Sequence, residues 1–265
     1  MKAHHHIKIT YNLLFLSIVF LSVCLVGYTP TNASLVHVVT KDYINQLREA
    51  MNPQILKTMD GIDYPVVENP DQINIIINKK VTLSSDYIPN DLVVPNVKHT
   101  AGNKKMMRLE ASEALEQLFS TAKIQGYTLI AASGYRSYST QKGLYSRYVA
   151  TYGKKEADTF SAKPGQSEHQ LGLTMDYTSI RYGNQITGKI ANTPEGKWVT
   201  HNAHRFGFII RYPLGKEDIT GYKYEPWHLR YVGIDLATSI YQSGKTMEEY
   251  YLLIDNQPKN ETNRN

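Results

Sequence analysis

Cysteine is nearly missing. Cys24 is the single one in 265 residues, and it lies inside an apolar run. One cysteine cannot close an intrachain disulfide, so a domain of this size must be held by its own core. Leu21 stands three residues before Cys24, as in a lipid-attachment site. Val23 is bulky for such a site and apolar residues continue beyond it, so lipidation is not expected. Acid is missing from residues 1–33, which hold Lys2 and Lys8 and no Asp or Glu. Those two lysines account for two of the net charge of +5, leaving +3 for residues 34–265. That mild excess suits an anionic surface, a cell wall or a lipid headgroup layer. No basic stripe with interleaved aromatics is present, which argues against nucleic acid. Internal repeats and low-complexity linkers are also lacking, so one catalytic-size domain with an extension is the simplest organisation. A monomer is expected.

Long apolar runs are limited to one, LLFLSIVFLSVCLVG, from Leu13 to Gly27. It is short of the roughly 20 residues a spanning helix needs. Lys2 and Lys8 precede it, and Thr31-Asn32-Ala33 offers a small-residue cleavage site before Ser34. This is the order of a secretory signal. Residues 1–33 are therefore expected to be a signal peptide or, uncleaved, a membrane anchor, with membrane association through residues 13–27. The remainder is expected outside the cell membrane, extracellular or at the cell wall.

Hydrophobic content is 42% and charged content 20%, ordinary globular usage that implies a buried core. Residues 34–100 read as a lead-in, exposed up to about 70, with one helix from Lys41 to Met51 and short β-prone runs (INIIINKKVTL, DLVVP) after 71. Over 104–125, Met107, Ala111, Ala114, Leu115, Leu118 and Ala122 share one helical face, and Gly126 stops it. YTLIAASGYR reads as a strand entering a loop. Ser139 reads as the cap of a helix through Tyr152. Thr193-Pro194 starts another helix, as cap and first turn, which runs to Phe206 and stops at Gly207. FIIRY and GYKYEPWHLRYV read as strands, the second interrupted at Pro226, and Val232–Gln242 as a helix. A domain over 101–253 and a disordered polar tail over 254–265 complete the division.

Two stretches carry chemistry. GQSEHQLGLTMDY places His169 and Asp176 seven apart in a run of mostly small and apolar residues. One helix would put both on a face, but Gly172 argues against a helix, costing roughly 1 kcal/mol against alanine. One strand would send them to opposite faces. A loop feeding a short strand aims both at one point. YEPWH adds Glu225 and His228 around Pro226 and Trp227. Two imidazoles and a carboxylate suit a catalytic zinc site with a fourth position for water, and a carboxylate that is not a ligand, Glu225, is placed to take the proton of that water. Either histidine alone reads better as an ordinary core residue; with Asp176 and Glu225 the site reading overtakes it. A third stretch, SGYRSYSTQ, places Arg136 where a fixed cation would steady negative charge on a carbonyl oxygen, with Gln141 and Ser137 as donors for a carboxylate. A surface salt bridge is the commoner role of such an arginine. His201 and His204 read as exposed or packing residues, Trp198 as core and Trp227 as lining a cleft.

The blocks SGYRSYSTQ, SEHQLGLTMD, NAHRFGFIIRYP and EPWHLRYVG, in this order from about Ser133 to Gly233, resemble the VanY-type D-alanyl-D-alanine carboxypeptidase family, whose close relatives include L,D-carboxypeptidases that trim peptidoglycan tetrapeptides. The shared pattern is S-x-H, six residues, D, and later E-x-x-H. The resemblance implies an α+β fold: a single zinc-peptidase domain with a central antiparallel sheet flanked by helices, as in the zinc domain of hedgehog proteins. It implies one Zn2+ per chain held by His169, Asp176 and His228, Glu225 as general base, and Arg136 against the oxyanion. Ser167 would hydrogen-bond near the metal or substrate, and Gln141 and Tyr212 match positions that contact the terminal D-alanine or the peptide. Leu171-Gly172-Leu173-Thr174 departs from the Thr-Gly-Leu-Ala frequent in relatives, a change that bears on pocket shape.

The expected function is a carboxypeptidase removing the C-terminal D-alanine of peptidoglycan stem peptides, with D,D specificity ahead of L,D. An endopeptidase of the stem or cross-link, and a non-catalytic wall-binding module that keeps zinc for stability, are the alternatives.

Overall fold

A computed structural model of the chain describes residues 54–57, 63–102, 105–182 and 185–255. The expected signal or anchor, the Lys41–Met51 helix and residues 256–265 of the expected tail lie outside the described residues, whereas Ile254 and Asp255, expected to begin the disordered tail, close a helix. Two small antiparallel ladders come first: β1 (Gln54–Lys57) with β2 (Asp63–Val66), and β3 (Leu92–Val93) with β4 (Met107–Arg108). The centre is a four-stranded antiparallel sheet in the order β5 (Leu129–Ser133), β6 (Thr174–Ser179), β8 (Glu225–Tyr231), β7 (Phe208–Tyr212).

Side chains alternate across a pleated strand, and this alternation divides the sheet by chemistry. On one face Met175 and Tyr177, Phe208 and Ile210, and Leu229 and Tyr231 join the main core. Helix α1 (Leu109–Ile124) covers them with Ala111, Leu115, Leu118, Phe119 and Ala122, the three-and-four spacing expected of an amphipathic helix. Helix α4 (Pro194–Asn202) adds Trp198 and Val199; the Trp198 indole donates to Gln125 Oε1 at 2.7 Å, so this tryptophan belongs to the core as expected. On the opposite face the intervening residues are Asp176, His228, Arg230 and Arg211. Beside them Ile209 meets Val232 and the helices α6 (Ile234–Ser243) and α7 (Met247–Asp255) through Leu236, Ala237, Ile240 and Met247.

Residues of the expected lead-in share the main core: Ile75, Ile77 and Leu83 are buried in it. Arg230 ties them to the sheet, its Nη2 donating to the carbonyls of Ile73 and Ile75 at 3.0 and 2.8 Å.

Most local signals place their elements. Thr193 Oγ1 accepts from the Gly196 amide at 2.9 Å with Pro194 in the first turn. That helix ends at Asn202 and a 3-10 turn carries the chain to Gly207. Helix α2 (Tyr138–Tyr152) starts one residue after Ser137, whose Oγ accepts from the Thr140 amide at 3.2 Å; Ser137 is the cap, two residues ahead of the expected Ser139. Helix α3 (Lys154–Phe160), the short α5 (Glu217–Thr220) and α7 had no counterpart in the sequence reading.

Candidate metal centre and active site

The seven-residue spacing of His169 and Asp176 is met by a turn feeding a strand. Glu168–Leu171 forms a 3-10 turn closed by Gly172 at φ +68°, and Asp176 follows as the third residue of β6. Glycine adopts that left-handed backbone without cost. The turn is anchored through its backbone: Arg136 N donates to His169 O at 3.1 Å, and Arg108 N to Gly172 O at 2.8 Å.

His228 reaches the same point from β8. Asp176 and His228 are paired across the ladder, which sets their side chains together on one face. Asp176 Oδ1 lies 3.0 Å from His228 Nδ1, and Asp176 Oδ2 lies 3.4 Å from His169 Nε2. The two imidazoles meet edge to face with centroids 5.1 Å apart. One donor atom from each of the three residues lies within 4.8 Å of the others, all three side chains are buried, and this is the one such cluster among the described residues.

The donor set fits zinc. Two bonds of about 2.0–2.1 Å at a tetrahedral angle set neighbouring ligand atoms about 3.3 Å apart; the Asp176 carboxylate meets the two imidazoles at 3.0 and 3.4 Å, one through each oxygen, and one donor atom from each residue lies within 4.8 Å of the others. The ring nitrogens are also sorted. His169 Nδ1 lies 2.8 Å from the carbonyl of Gly134, which makes Nδ1 the donor there and Nε2 the nitrogen turned to Asp176. Charge favours a cation as well. Burial opposes ionisation of Asp176, but both histidines outweigh it and hold the carboxyl below its usual range. Burial alone would lower His228; Asp176, Glu168 and Glu225 outweigh it and raise it to about 9. His169 is lowered, by burial first and then by Arg136.

Glu225 stands three residues before His228, an odd spacing that a regular strand would place on opposite faces. The β7–β8 ladder is irregular here: Ile210 pairs with Leu229, but Tyr212 pairs with Glu225. Two extra residues of β8 are taken up around Pro226, which has no amide to give a ladder. The irregularity carries Glu225 onto the metal face, its Oε2 3.6 Å from His228 Nδ1. Burial raises its carboxyl to about 7, with Asp176 adding to the rise and His228 and Arg136 opposing it.

A cleft of 520 Å³ opens over these groups. Arg136, Gln141, Ser167, Tyr212, Glu225 and Trp227 line it with the three metal-site residues. Arg136 is fixed by two acceptors, Gln141 Oε1 at 2.7 Å and Ser133 Oγ at 3.1 Å. The other end of Gln141 donates to Ala162 O at 2.6 Å. Each end of this amide thus has one partner and holds the guanidinium in place, while Gln141 also lines the cleft and keeps a second N–H. Tyr212 packs its ring 4.9 Å from that of His228. Ser137 is occupied as the α2 cap and is not among the cleft-lining residues. His201 Nδ1 contacts Lys197 O at 2.7 Å and His204 stacks on Tyr241 at 3.9 Å, both away from the metal cluster.

Sequence reasoning passed over the charged residues beneath the site. Glu168 is fully buried and accepts from Arg211 Nε at 2.8 Å and Arg230 Nη1 at 2.7 Å, all through Oε1. Arg211 extends to Glu248 on α7 through two further bonds of 2.8 and 2.6 Å. The signal was present, because Glu168 is an acid in the same apolar stretch as His169. Cleft-lining Tyr148, Phe160, Tyr222 and Lys223 were also passed over.

A family model described as VanY, D-alanyl-D-alanine carboxypeptidase, matches residues 104–234. The D-alanyl-D-alanine carboxypeptidase of Enterococcus faecalis (strain ATCC 700802 / V583) is 34% identical over 231 residues, 78% of this chain and 81% of that protein. Among solved structures, the LdcB LD-carboxypeptidase is 45% identical with a TM-score of 0.70, over 76% of this chain and 94% of that one. A point mutant of the vancomycin resistance D,D-pentapeptidase VanY, in complex with Zn(II), is 35% identical with a TM-score of 0.57, over 68% of this chain and 98% of that one. With its antiparallel sheet, its flanking helices and its His-Asp-His cluster, the chain belongs to the VanY D-alanyl-D-alanine carboxypeptidase family.

Proposed function

We propose that the carboxypeptidase activity on peptidoglycan peptides that goes with this family takes the form of zinc-dependent removal of the C-terminal D-alanine from a stem peptide. The observation that carries the reading is the placement of Glu225, a carboxylate outside the ligand set, 3.6 Å from His228 Nδ1 in the lining of the cleft. His169 Nε2, Asp176 and His228 Nδ1 would hold the metal. Zinc, when bound, polarises the scissile carbonyl and acidifies water. Glu225 takes the proton of the attacking water and returns it to the leaving amine, a task suited to a carboxyl whose pKa lies near the working pH. Arg136, pinned by Ser133 and Gln141, faces the carbonyl oxygen as negative charge grows on it. Ser167, Tyr212 and Trp227 form walls for the peptide.

Removal of D-alanine from a tetrapeptide is a second reading of the same site, favoured over the pentapeptide by the greater likeness to LdcB than to the D,D-pentapeptidase. We assign residues 1–33 to export, residues 101–253 to catalysis and the site of action to the outside of the membrane, with the chain acting as a monomer.

Purified zinc-loaded protein incubated with defined penta- and tetrapeptide stems decides the reading. Loss of a single alanine, abolished by Glu225→Ala while zinc stays bound, is the expected result. Internal cleavage products would make the protein an endopeptidase, and bound zinc with no turnover on either stem would make it a binding module.

A further inference from the structure

The buried carboxylate of Glu168 has an unfinished inventory. Both arginines donate to Oε1. Oε2 is fully buried and has no hydrogen-bond partner among the described residues. His228 Nε2 is likewise buried and without a partner. These two atoms lie 3.6 Å apart. An unpaired buried donor or acceptor costs about 1–3 kcal/mol, and each of these two stands within reach of the other. The distance is slightly long for a hydrogen bond, and a modest shift of the imidazole closes it.

We propose that Glu168 is the positioning residue for His228: its Oε2 accepts the Nε2–H of the ring, so that Nδ1 is the nitrogen left to bind the metal. The inference rests on the metal reading above and adds what holds the ligand. His169 has its own outer partner in the Gly134 carbonyl, 2.8 Å from Nδ1. The two imidazoles are thus presented through opposite nitrogens, Nε2 from His169 and Nδ1 from His228, each fixed by an acceptor on its far side. Such outer partners set tautomer and ring orientation.

The carboxylate is itself immobile. Arg230 holds it from β8 while bonded to the carbonyls of Ile73 and Ile75. Arg211 holds it from β7 while paired with Glu248 on α7. The groups Glu248, Arg211, Glu168 and His228 follow one another from helix α7 to the metal-site cluster. A carboxylate placed only to neutralise two arginines would leave the tautomer of His228 indifferent to it.

The test uses the full chain labelled with 15N-histidine and loaded with zinc, with ring tautomers read from multiple-bond 1H–15N correlations. The expected spectrum shows His228 protonated at Nε2, with that proton protected from water and Nδ1 carrying the shift of a metal-bound nitrogen. In Glu168→Gln the protection should be lost, and zinc should be held about 10–100-fold more weakly in competition with a chromophoric chelator. Should that variant not fold, the wild-type spectrum decides alone. His228 protonated at Nδ1 with Nε2 metal-bound, or an Nε2 proton exchanging as fast as in free imidazole, would overturn the role of Glu168 and leave the zinc reading intact. A wild-type chain that takes up no zinc would overturn the metal reading itself and this assignment with it.

Discussion

Asp176 and His228 are direct cross-strand partners on β6 and β8, with Asp176 Oδ1 3.0 Å from His228 Nδ1. A ladder pair is among the stiffest ways to hold two side chains together, since both backbones are fixed by the sheet. The third member, His169, enters from a turn held by the backbone amides of Arg136 and Arg108. In the metal-free chain Asp176, Glu168 and Glu225 favour a proton on His228 over the burial that opposes it.

That proton gives the first prediction. Asp176, Glu168 and Glu225 overcome burial and raise His228 to about 9, while a metal ligand must be neutral imidazole. At pH 7 the proton has to leave before the metal enters. Apparent zinc affinity should rise about tenfold per pH unit between 7 and 9 and level off above. Chelator competition across that range measures it; an affinity flat with pH would show that His228 carries no proton to displace.

Glu225 titration bears on the stability of the metal-free chain. Burial raises its carboxyl to about 7 in the folded chain, against about 4.3 when unfolded. The folded state therefore binds the proton more tightly, and stability falls as pH rises from about 4.3 to 7, then stays lowered. Glu225→Gln removes this penalty. The metal-free variant should exceed the metal-free parent by about 3 kcal/mol at pH 8 and match it at pH 4. Urea unfolding in the presence of chelator checks this, and a variant less stable than the parent at pH 8 contradicts the burial argument.

Much of this was legible from the chain because it is local. The face of α1 follows from Leu115, Leu118 and Ala122 at helical spacing, and Thr193-Pro194 marks the start of α4. The convergence of His169 and Asp176 needed only the glycine that forbids a helix and a strand to follow. What was not legible depends on pairing between strands. The position of Glu225 beside His228 comes from the irregular β7–β8 register, which no spacing within YEPWH reveals. Ser137 displaced Ser139 as the α2 cap because both are good caps and only the entry of the backbone from β5 chooses between them. The bonds of Gln141 to Arg136 and Ala162 depend on a residue five positions away and one twenty-one positions away, and no spacing within SGYRSYSTQ reveals them. Glu168 was overlooked because its partners Arg211 and Arg230 lie more than forty residues away.

Arg136 and Gln141 separate a charge effect from a positioning effect. Arg136→Ala should lower kcat by about 10²–10³-fold, the usual cost of losing an oxyanion donor. Gln141→Leu leaves the charge but frees the guanidinium from one of its two acceptors; a roughly tenfold loss in kcat is expected, smaller because Ser133 still holds it. Neither should alter zinc content. Steady-state kinetics with metal analysis checks both, and a Gln141 variant that changes KM alone would return this residue to direct substrate binding.

Gly172 tests whether the turn between two metal-site residues must have its left-handed backbone. Its φ is +68°, and a Cβ placed there would meet Leu92 Cδ2 at 2.8 Å and Arg108 Cγ at 3.1 Å. An alanine costs about 1–2 kcal/mol for the backbone alone, and the two side chains have to give way in addition. Gly126 is the matched control, with φ +86° and open space where its Cβ would be. Gly126→Ala should lose only the backbone amount and leave zinc affinity unchanged. Gly172→Ala should be less stable than the control variant and bind zinc more weakly, because the same turn sets the carbonyl of His169 against Arg136 N and leads directly into Asp176. Unfolding midpoints and chelator competition on the two variants measure both effects. Equal zinc affinity in the two would show that the turn tolerates a Cβ and that the ladder alone fixes the metal site.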